Sequence, residues 1–537
     1  MKLVTVEEMQ AIEREANERG WSYDQMMERA GQGLAEIVQS FYGYEDTSVV
    51  VGLVGSGNNG GDTLIALEKL ALEGWQAQAY LVRPRAKGDP LLARLQKAGG
   101  AIITAAEDIQ REMLRGWLAE ATVVLDGVLG TGVRLPLKVG VAEVLAFVKA
   151  FQPLPDVVAV DCPSGVDLDS GEAAEQAIKA DVTVSMAAVK TGLLRFPAYG
   201  LAGTLEVVDI GLPQGLASWE KIRSETVTEE TVRAILPVRP PDGHKGTFGT
   251  VGVAAGSLNF TGAAFLCSAA AYRIGAGLVQ IAAPAPLHAA LAGQIPEATW
   301  VLLPHELGVI AENAADVLSK HLEKVDVLLW GPGFGLEDPT AGFVRRLVEG
   351  RGGKARSKGI GFVAAAGEPT SPGELALPPM VIDADGLKLM VRVDGWAAKI
   401  PPLAVLTPHP GEMAILTGLG IQQVQADRLG TAARYAREWG HVVVLKGANT
   451  VIAAPDGQVR VVPVATSALA HGGTGDVLAG MIAGLRAQGV PAFEAAVAGA
   501  WIHAQAGLLA AEQIGHEASV LAGDLIEALP EVLAWVW

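Results

Sequence analysis

Gly472-Gly473-Thr474-Gly475-Asp476 sets a run of glycines directly before a helix-like segment, with an acid at the junction. Glycines let a backbone come close to a ligand, and the unpaired N–H groups of a first helical turn point at an anion. Asp476 stands where a carboxylate can take a proton from a hydroxyl held beside a phosphate. The plainer reading is a helix start capped by Thr474 or Asp476. In the first half, three apolar runs each end in polar groups. Residues 48–54 lead into Gly55-Ser56-Gly57-Asn58-Asn59-Gly60-Gly61-Asp62, residues 122–125 into Asp126, and residues 157–160 into Asp161-Cys162-Pro163-Ser164-Gly165. Gly55, Gly57 and Gly60 fit the dinucleotide fingerprint G-x-G-x-x-G. Two residues argue against ordinary dinucleotide binding: Asp62 puts a carboxylate where a pyrophosphate would sit, and the next strand ends in Arg83 rather than an acid for a ribose. Asn58, Asn59 and Asp62 instead offer oxygens, which suit a hard cation or ligand hydroxyls.

The elements that must position these groups follow from the apolar pattern. Residues 5–20 and 23–41 read as helices, the first with Met9, Ile12 and Ala16 on one face. Residues 48–54 read as a buried parallel strand, followed by a helix from near Asp62. Residues 77–82, 122–125 and 157–160 continue the sheet, and ligands of open α/β sheets bind at the carboxyl ends of strands. The pattern breaks between residues 213 and 245, where Pro237, Pro240, Pro241 and Gly243 rule out a continuous element. The second half repeats the strand–helix alternation, so it too is expected to hold a mainly parallel sheet. There, residues 325–330 lead to Gly331-Pro332-Gly333, 380–382 to Asp383-Ala384-Asp385, 405–406 to Thr407-Pro408-His409-Pro410-Gly411-Glu412, and 442–445 to Lys446-Gly447-Ala448-Asn449-Thr450. Asp456-Gly457 predicts a hairpin.

Composition narrows the class. At 537 residues the chain is long enough for two or more domains. A net charge of −18 argues against a nucleic-acid partner. Two distant cysteines make no disulfide framework, which points to a reducing cytoplasm. Acids near the N-terminus argue against a signal peptide. The uncharged stretch 246–272 contains glycines, Ser257, Asn259 and Thr261, so a buried strand–turn–helix is expected rather than a membrane span. No P-loop motif, H-E-x-x-H or Cys/His cluster is present.

The three strand-end motifs of the first half, together with Gly130-Thr131-Gly132, resemble the NAD(P)H-hydrate epimerase domain of the YjeF N-terminal type. The resemblance implies a potassium ion on Asn59, Asp126 and Ser164. It implies a hydrated dinucleotide along Asn58, Asn59, Gly60, Gly61 and Asp62, and along Gly130, Thr131, Gly132, Val133, Arg134, Leu135 and Pro136, with Asp161 near it. Asp126 and Asp161 are both candidates for the base. Thr63 stands where that family usually has glycine. In the second half, Ala255-Gly256-Ser257, Gly331-Pro332-Gly333, Asp383-Ala384-Asp385, Thr407-Pro408-His409-Pro410-Gly411-Glu412, Lys446-Gly447 and the glycine–Asp476 stretch, six motifs in order, resemble the ribokinase-like NAD(P)H-hydrate dehydratase. Here the resemblance implies nucleotide contacts from Lys446, Gly447, Ala448, Asn449, Thr450 and Gly475, and hydrated-dinucleotide contacts from Ala263, Gly333, His409 and Asp476. Thr466-Ser467-Ala468-Leu469-Ala470-His471 departs from the family's usual Asn-Pro-Gly-Met-Ala-Thr.

The expected architecture is α/β throughout: a Rossmann-like three-layer domain over residues 1–223, then a ribokinase-like domain over 224–537. The expected activity is epimerisation of R and S NAD(P)H-hydrate, followed by ADP-dependent dehydration of the S form with Asp476 as base. ADP as phosphoryl donor, Mg²⁺ with the nucleotide, potassium and a homo-oligomer complete the expectation. A small-molecule kinase in the second half, and a non-catalytic binding module in the first, are the rival readings.

Overall fold

The structure is a computed structural model that describes residues 1–43, 48–349 and 377–537. The chain divides into two compact units, Met1–Thr226 and Val227–Trp537.

The first unit is built on a seven-stranded sheet. From edge to edge its strands are Ala101–Thr104, Gln76–Leu81, Val49–Val54, Val123–Gly127, Asp156–Val160, Val182–Met186 and Thr204–Val208. Every neighbouring pair is parallel, so all carboxyl ends lie along one edge. Successive side chains of a strand face opposite ways. Val50 and Val54 accordingly pack under the helices Val6–Glu18, Tyr23–Tyr42 and Asn58–Leu72, through Ile12, Leu34 and Leu67. Val51 and Leu53 pack on the other side against Leu114, Leu118 and Leu145. The first helix is stopped at its N-terminus by Thr5, whose hydroxyl accepts from the Glu8 N–H while the Glu8 carboxylate accepts from the Thr5 N–H.

One boundary differs from the sequence expectation in a way that shapes the site. The third helix begins at Asn58, four residues before Asp62, with Gly57 as its N-cap. Its first turn lies against the end of the preceding strand. A Cβ on Gly60 would meet the Gly55 carbonyl oxygen at 2.1 Å, so only glycine permits that approach.

In the second unit the strands run Thr299–Leu303, Leu278–Pro284, Thr250–Ala254, Val327–Trp330, Met380–Ile382, Val405–Leu406 and Val442–Leu445, all parallel. Val451–Ala453 and Val459–Val461 then add antiparallel, joined through Asp456-Gly457 as a hairpin. Val251 and Val253 face a layer made by Thr261–Arg273, Thr474–Ala487, Ala492–Ile514 and Ala522–Val536. Leu328 and Trp330 face the opposite layer, with Phe343, Leu347 and Leu387. The uncharged stretch 246–272 is the strand Thr250–Ala254, its turn and the first of these helices. Among the described residues no helix is long and apolar enough to cross a membrane.

Candidate active sites

In the first unit, the strands ending at Val54, Gly127 and Val160 are immediate neighbours, so their polar ends converge. Two groupings result. Behind the strand ends, Asp126 is wholly buried, and its Oδ2 accepts from the Ser164 N–H at 2.8 Å. The Ser164 Oγ accepts from the Leu129 N–H at 2.9 Å. Asn59 donates from Nδ2 to the Val160 carbonyl at 2.5 Å and more weakly to the Leu129 carbonyl at 3.4 Å. Among the described residues, no hydrogen-bond partner reaches the buried Asp126 Oδ1. Burial pushes the Asp126 carboxyl above its ordinary range. A buried carboxylate oxygen with no donor calls for a cation or a proton. Thr63 does not crowd this turn: its hydroxyl donates to the Asn59 carbonyl at 2.7 Å and lies over Gly127, where a Cβ would meet it at 1.8 Å.

The second grouping is an open cleft lined by Asn58, Asn59, Asp62, Thr131 and Asp161, with Glu13, Met26, Met186 and Lys190 on its other walls. Asp161 has φ +65°, which turns its side chain back toward the sheet edge. Its Oδ1 accepts from the Met186 N–H at 3.1 Å and from the Lys190 ammonium, and that ion pair is almost wholly buried. Lys190 also donates to the Met186 carbonyl at 2.9 Å. Asp62 is buried, and burial first, then the charges of Asp161 and Glu13, hold its carboxyl well above the ordinary range. Burial and these neighbouring carboxyls thus oppose the negative charge that argued against a phosphate neighbour. Of the loop 130–136 only Thr131 lines the cleft, and Asp126 sits behind it. Lys190 and Glu13 carry no motif. The signal for Lys190 was a single lysine within an apolar run, a type seldom buried unless paired.

In the second unit, Lys446 leaves the strand Val442–Leu445 and joins two regions. On one side is a pocket lined by Lys446, Gly447, Ala448, Thr450 and Gly475, with Thr466, Leu469, Ala470 and His503. Its floor is the start of the helix Thr474–Ala487, entered through Gly473 at φ +91°. Asn449 is buried beneath this pocket, donating from its backbone to the Val464 carbonyl at 3.0 Å. The Thr474 hydroxyl bonds the carbonyls of Leu469 and His471, both at 2.9 Å, so the unusual stretch 466–471 is tied to the helix start. His503 meets the Thr474 carbonyl at 2.9 Å, and burial lowers its imidazole to about 4, so it is neutral. Arg428 donates to the carbonyls of Leu445 at 2.9 Å and Lys446 at 3.2 Å and braces the strand exit.

On the other side of Lys446 is a cluster of acids. Lys446 donates to Asp383 at 2.6 Å and lies 3.8 Å from Glu412. Asp385 accepts from the Gly335 N–H at 3.0 Å and pairs with Lys388 at 3.1 Å. Glu412 accepts from the His409 N–H at 3.0 Å and lies 3.4 Å from His409 Nε2. His409 Nδ1 accepts from the Gly411 and Glu412 N–H groups, and burial lowers the imidazole below its ordinary value despite Glu412. Asp476 stands beside this cluster on the helix start. Burial, then the Asp383 carboxylate, raise it to about 7 against the pull of Lys446. Gly475 has Lys446 Nζ and Asp383 Oδ2 as neighbours, at 3.3 and 3.7 Å from where a Cβ would stand. Ala263 and Gly333 face each other, 2.8 Å from the Ala263 Cβ to a Cβ placed on Gly333. The helix start, the lysine and the acids thus come together as the sequence suggested. Asp383, Asp385, Glu412 and Arg428 join them from outside the expected set.

One parallel and one mainly parallel sheet, each with a charged, partly desolvated cleft at its carboxyl edge, define a two-site α/β enzyme acting on small polar molecules. Residues 251–354 and 370–531 match the family described as NAD(P)H-hydrate dehydratase, and residues 23–192 match the YjeF-related protein N-terminus. The chain is 36% identical to the bifunctional NAD(P)H-hydrate repair enzyme Nnr of Moorella thermoacetica, over 99% of this chain and 97% of that protein. It is 31% identical to the enzyme of the same name from Escherichia coli strain K12, over 97% and 92%. The crystal structure of the ADP/ATP-dependent NAD(P)H-hydrate dehydratase from Bacillus subtilis, co-crystallized with ATP/Mg²⁺, covers 58% of this chain and 98% of its own, at 29% identity and a TM-score of 0.46. The chain belongs to the family of bifunctional NAD(P)H-hydrate repair enzymes.

Proposed function

We propose that this chain repairs hydrated NADH and NADPH in two reactions, with residues 1–223 interconverting the R and S hydrates and residues 224–537 dehydrating the S form with ADP. The observation that carries the second reaction is Asp476, a carboxyl poised to change protonation near neutral pH at a glycine-lined helix start beside Lys446. Water is a poor leaving group from C6 of the nicotinamide ring. As the C6 hydroxyl attacks the terminal phosphorus of ADP, Asp476 takes its proton and AMP leaves. The helix start and Lys446 face the charge on the transferring phosphoryl group. The phosphate ester then loses phosphate from C6 and a proton from C5, which restores NAD(P)H. The pocket of Lys446, Gly447, Ala448, Thr450 and Gly475 receives the nucleotide, with Asn449 holding the loop from below. Ala263, Gly333 and His409 border the hydrated ring. Asp383, Asp385 and Glu412 are committed to lysines and N–H groups, so Mg²⁺ would arrive on the nucleotide's own phosphates.

In the first reaction Asp161, which lines the cleft, is favoured over Asp126 as the group that handles a proton. The orphaned Asp126 Oδ1, with Ser164 Oγ and the Asn59 side chain near it, fits a monovalent cation held by oxygens. There it would neutralise Asp126 and fix the turn that carries Asn58 and Asn59. The buried thiols Cys162 and Cys267 suit a reducing cytoplasm.

The test is to incubate the full chain with mixed hydrates, with and without ADP. With ADP, the absorbance of reduced nicotinamide should return completely; without it, the epimers should interconvert and none should return. Accumulation of a stable phosphoester would mark a kinase instead.

A further inference from the structure

The cleft of the first unit contains three carboxyls and one lysine, and they are not equivalent. Asp161 receives hydrogen bonds from the Met186 N–H and the Lys190 ammonium. Asp62 lines the same cleft, from the helix Asn58–Leu72. It is only 6% exposed, and no protein donor reaches its carboxyl among the described residues. Glu13 projects into the same cleft from the helix Val6–Glu18.

We propose that Asp62, with Glu13 beside it, is the proton donor of this cleft, and that Asp161, held by Lys190, is the acceptor; this rests on the epimerase reading above. C6 of a nicotinamide hydrate carries both a hydroxyl and the ring nitrogen. Asp62 gives its proton to the C6 hydroxyl oxygen. The C–O bond breaks with its electron pair going to oxygen, which leaves as water. The N1 lone pair forms a C6=N1 double bond, so the ring becomes an iminium cation. A water molecule then adds to the other face of C6, the π electrons return to N1, and Asp161 takes the proton that this water sheds. Transfer of that proton from Asp161 to Asp62, which share the cleft, restores the starting state.

The charges favour this assignment. Asp62 is faced by Asp161 and Glu13, which oppose its ionisation, and by Lys190 and Arg85, which favour it. Glu13 is faced by Lys190, Asp161 and Arg14, and burial raises its carboxyl above the ordinary range. Once Asp62 has given up its proton, carboxylates line the cleft where the cationic ring would form, and preorganised charge of opposite sign stabilises such an intermediate.

Epimerisation is measured on the full chain without ADP, starting from one pure hydrate epimer. Asp62→Asn should slow it by about 10²–10⁴-fold. Glu13→Gln removes a like charge facing Asp62. It should therefore move the alkaline limb of the pH–rate profile, where the donor loses its proton, to lower pH. In H₂¹⁸O, every inversion should place one labelled oxygen on C6. Thermal unfolding of each variant and its ADP-dependent dehydration of the S hydrate report on folding. Failure of the wild-type chain to epimerise would remove the epimerase reading itself. Wild-type epimerisation with Asp62→Asn within threefold of it and an unmoved profile would overturn the inference alone. Inversion without ¹⁸O uptake would do the same.

Discussion

The pH dependence of dehydration tests the second site most directly. A general base works only when deprotonated, so with Asp476 near 7 the rate should fall as pH drops through that value and level off above it. The ionised fraction is then about one-tenth at pH 6 and about one-hundredth at pH 5. Asp383→Asn should move this limb. It removes the carboxylate that, after burial, contributes most to raising Asp476. It also frees Lys446, now held at 2.6 Å, to act on Asp476. Both changes favour the ionised base. At an effective dielectric of about 20, neighbouring unit charges repel by roughly 2 kcal/mol, on the order of one to two pKa units. The acid limb should therefore shift down by about one to two pH units, after allowance for solvent screening. The assay follows return of reduced-nicotinamide absorbance from the S hydrate at low ADP, as kcat/KM, which reports the nucleotide-free site, from about pH 5 to 9. Asp476→Asn should lose about 10²–10⁴-fold at its optimum and lose the limb. A limb that stays in place in Asp383→Asn, or one that persists in Asp476→Asn, would refute the reasoning.

Replacing potassium by choline should slow epimerisation and lower the thermal midpoint of the wild-type chain, and Asp126→Asn should abolish that dependence; equal rates in both salts would remove the cation. Gly127→Ala would set a Cβ 1.8 Å from the Thr63 hydroxyl, so it should destabilise the first unit by about 1–3 kcal/mol in denaturant titration. Thr63→Gly should relieve most of that loss, and a double-mutant cycle with no coupling would contradict the packing. Arg428→Met leaves the Leu445 and Lys446 carbonyls without their donor, so the KM for ADP should rise several-fold with little change in kcat.

The strands were legible wherever a buried apolar run ended in glycine or an acid. Met380–Ile382, Val405–Leu406 and Val442–Leu445 fall where the pattern placed them. Val182–Met186, Thr204–Val208, Leu278–Pro284 and Thr299–Leu303 carry no such ending and went unassigned. They complete the sheets without bringing motifs to the edge. The start of the helix at Asn58 was misplaced because two asparagines and two glycines are poor helix formers. Packing against Gly55 and Gly127 overrides that preference. Lys190 and Glu13 come from elements far from any motif, and only the fold brings them to Asp62 and Asp161. Sequence spacing cannot show which of several buried acids gains a buried partner, and the Lys190 ammonium on Asp161 is what separates it from Asp62.

Lys446 belongs to two neighbourhoods at once, and its single charge cannot serve both fully. Before a nucleotide arrives, it neutralises Asp383 and Glu412 and weakens Asp476 as a base. On the proposed reading, phosphates entering the pocket would compete for the same ammonium. The acids then lose part of their counter-charge, and Asp476 holds its proton more tightly. Nucleotide binding is thereby coupled to proton uptake, and by reciprocity ADP should bind more tightly as the pH falls toward 6. Calorimetry in buffers of differing ionisation enthalpy would count that proton. The same coupling makes Asp476 a stronger base when the donor is seated than when the site is empty.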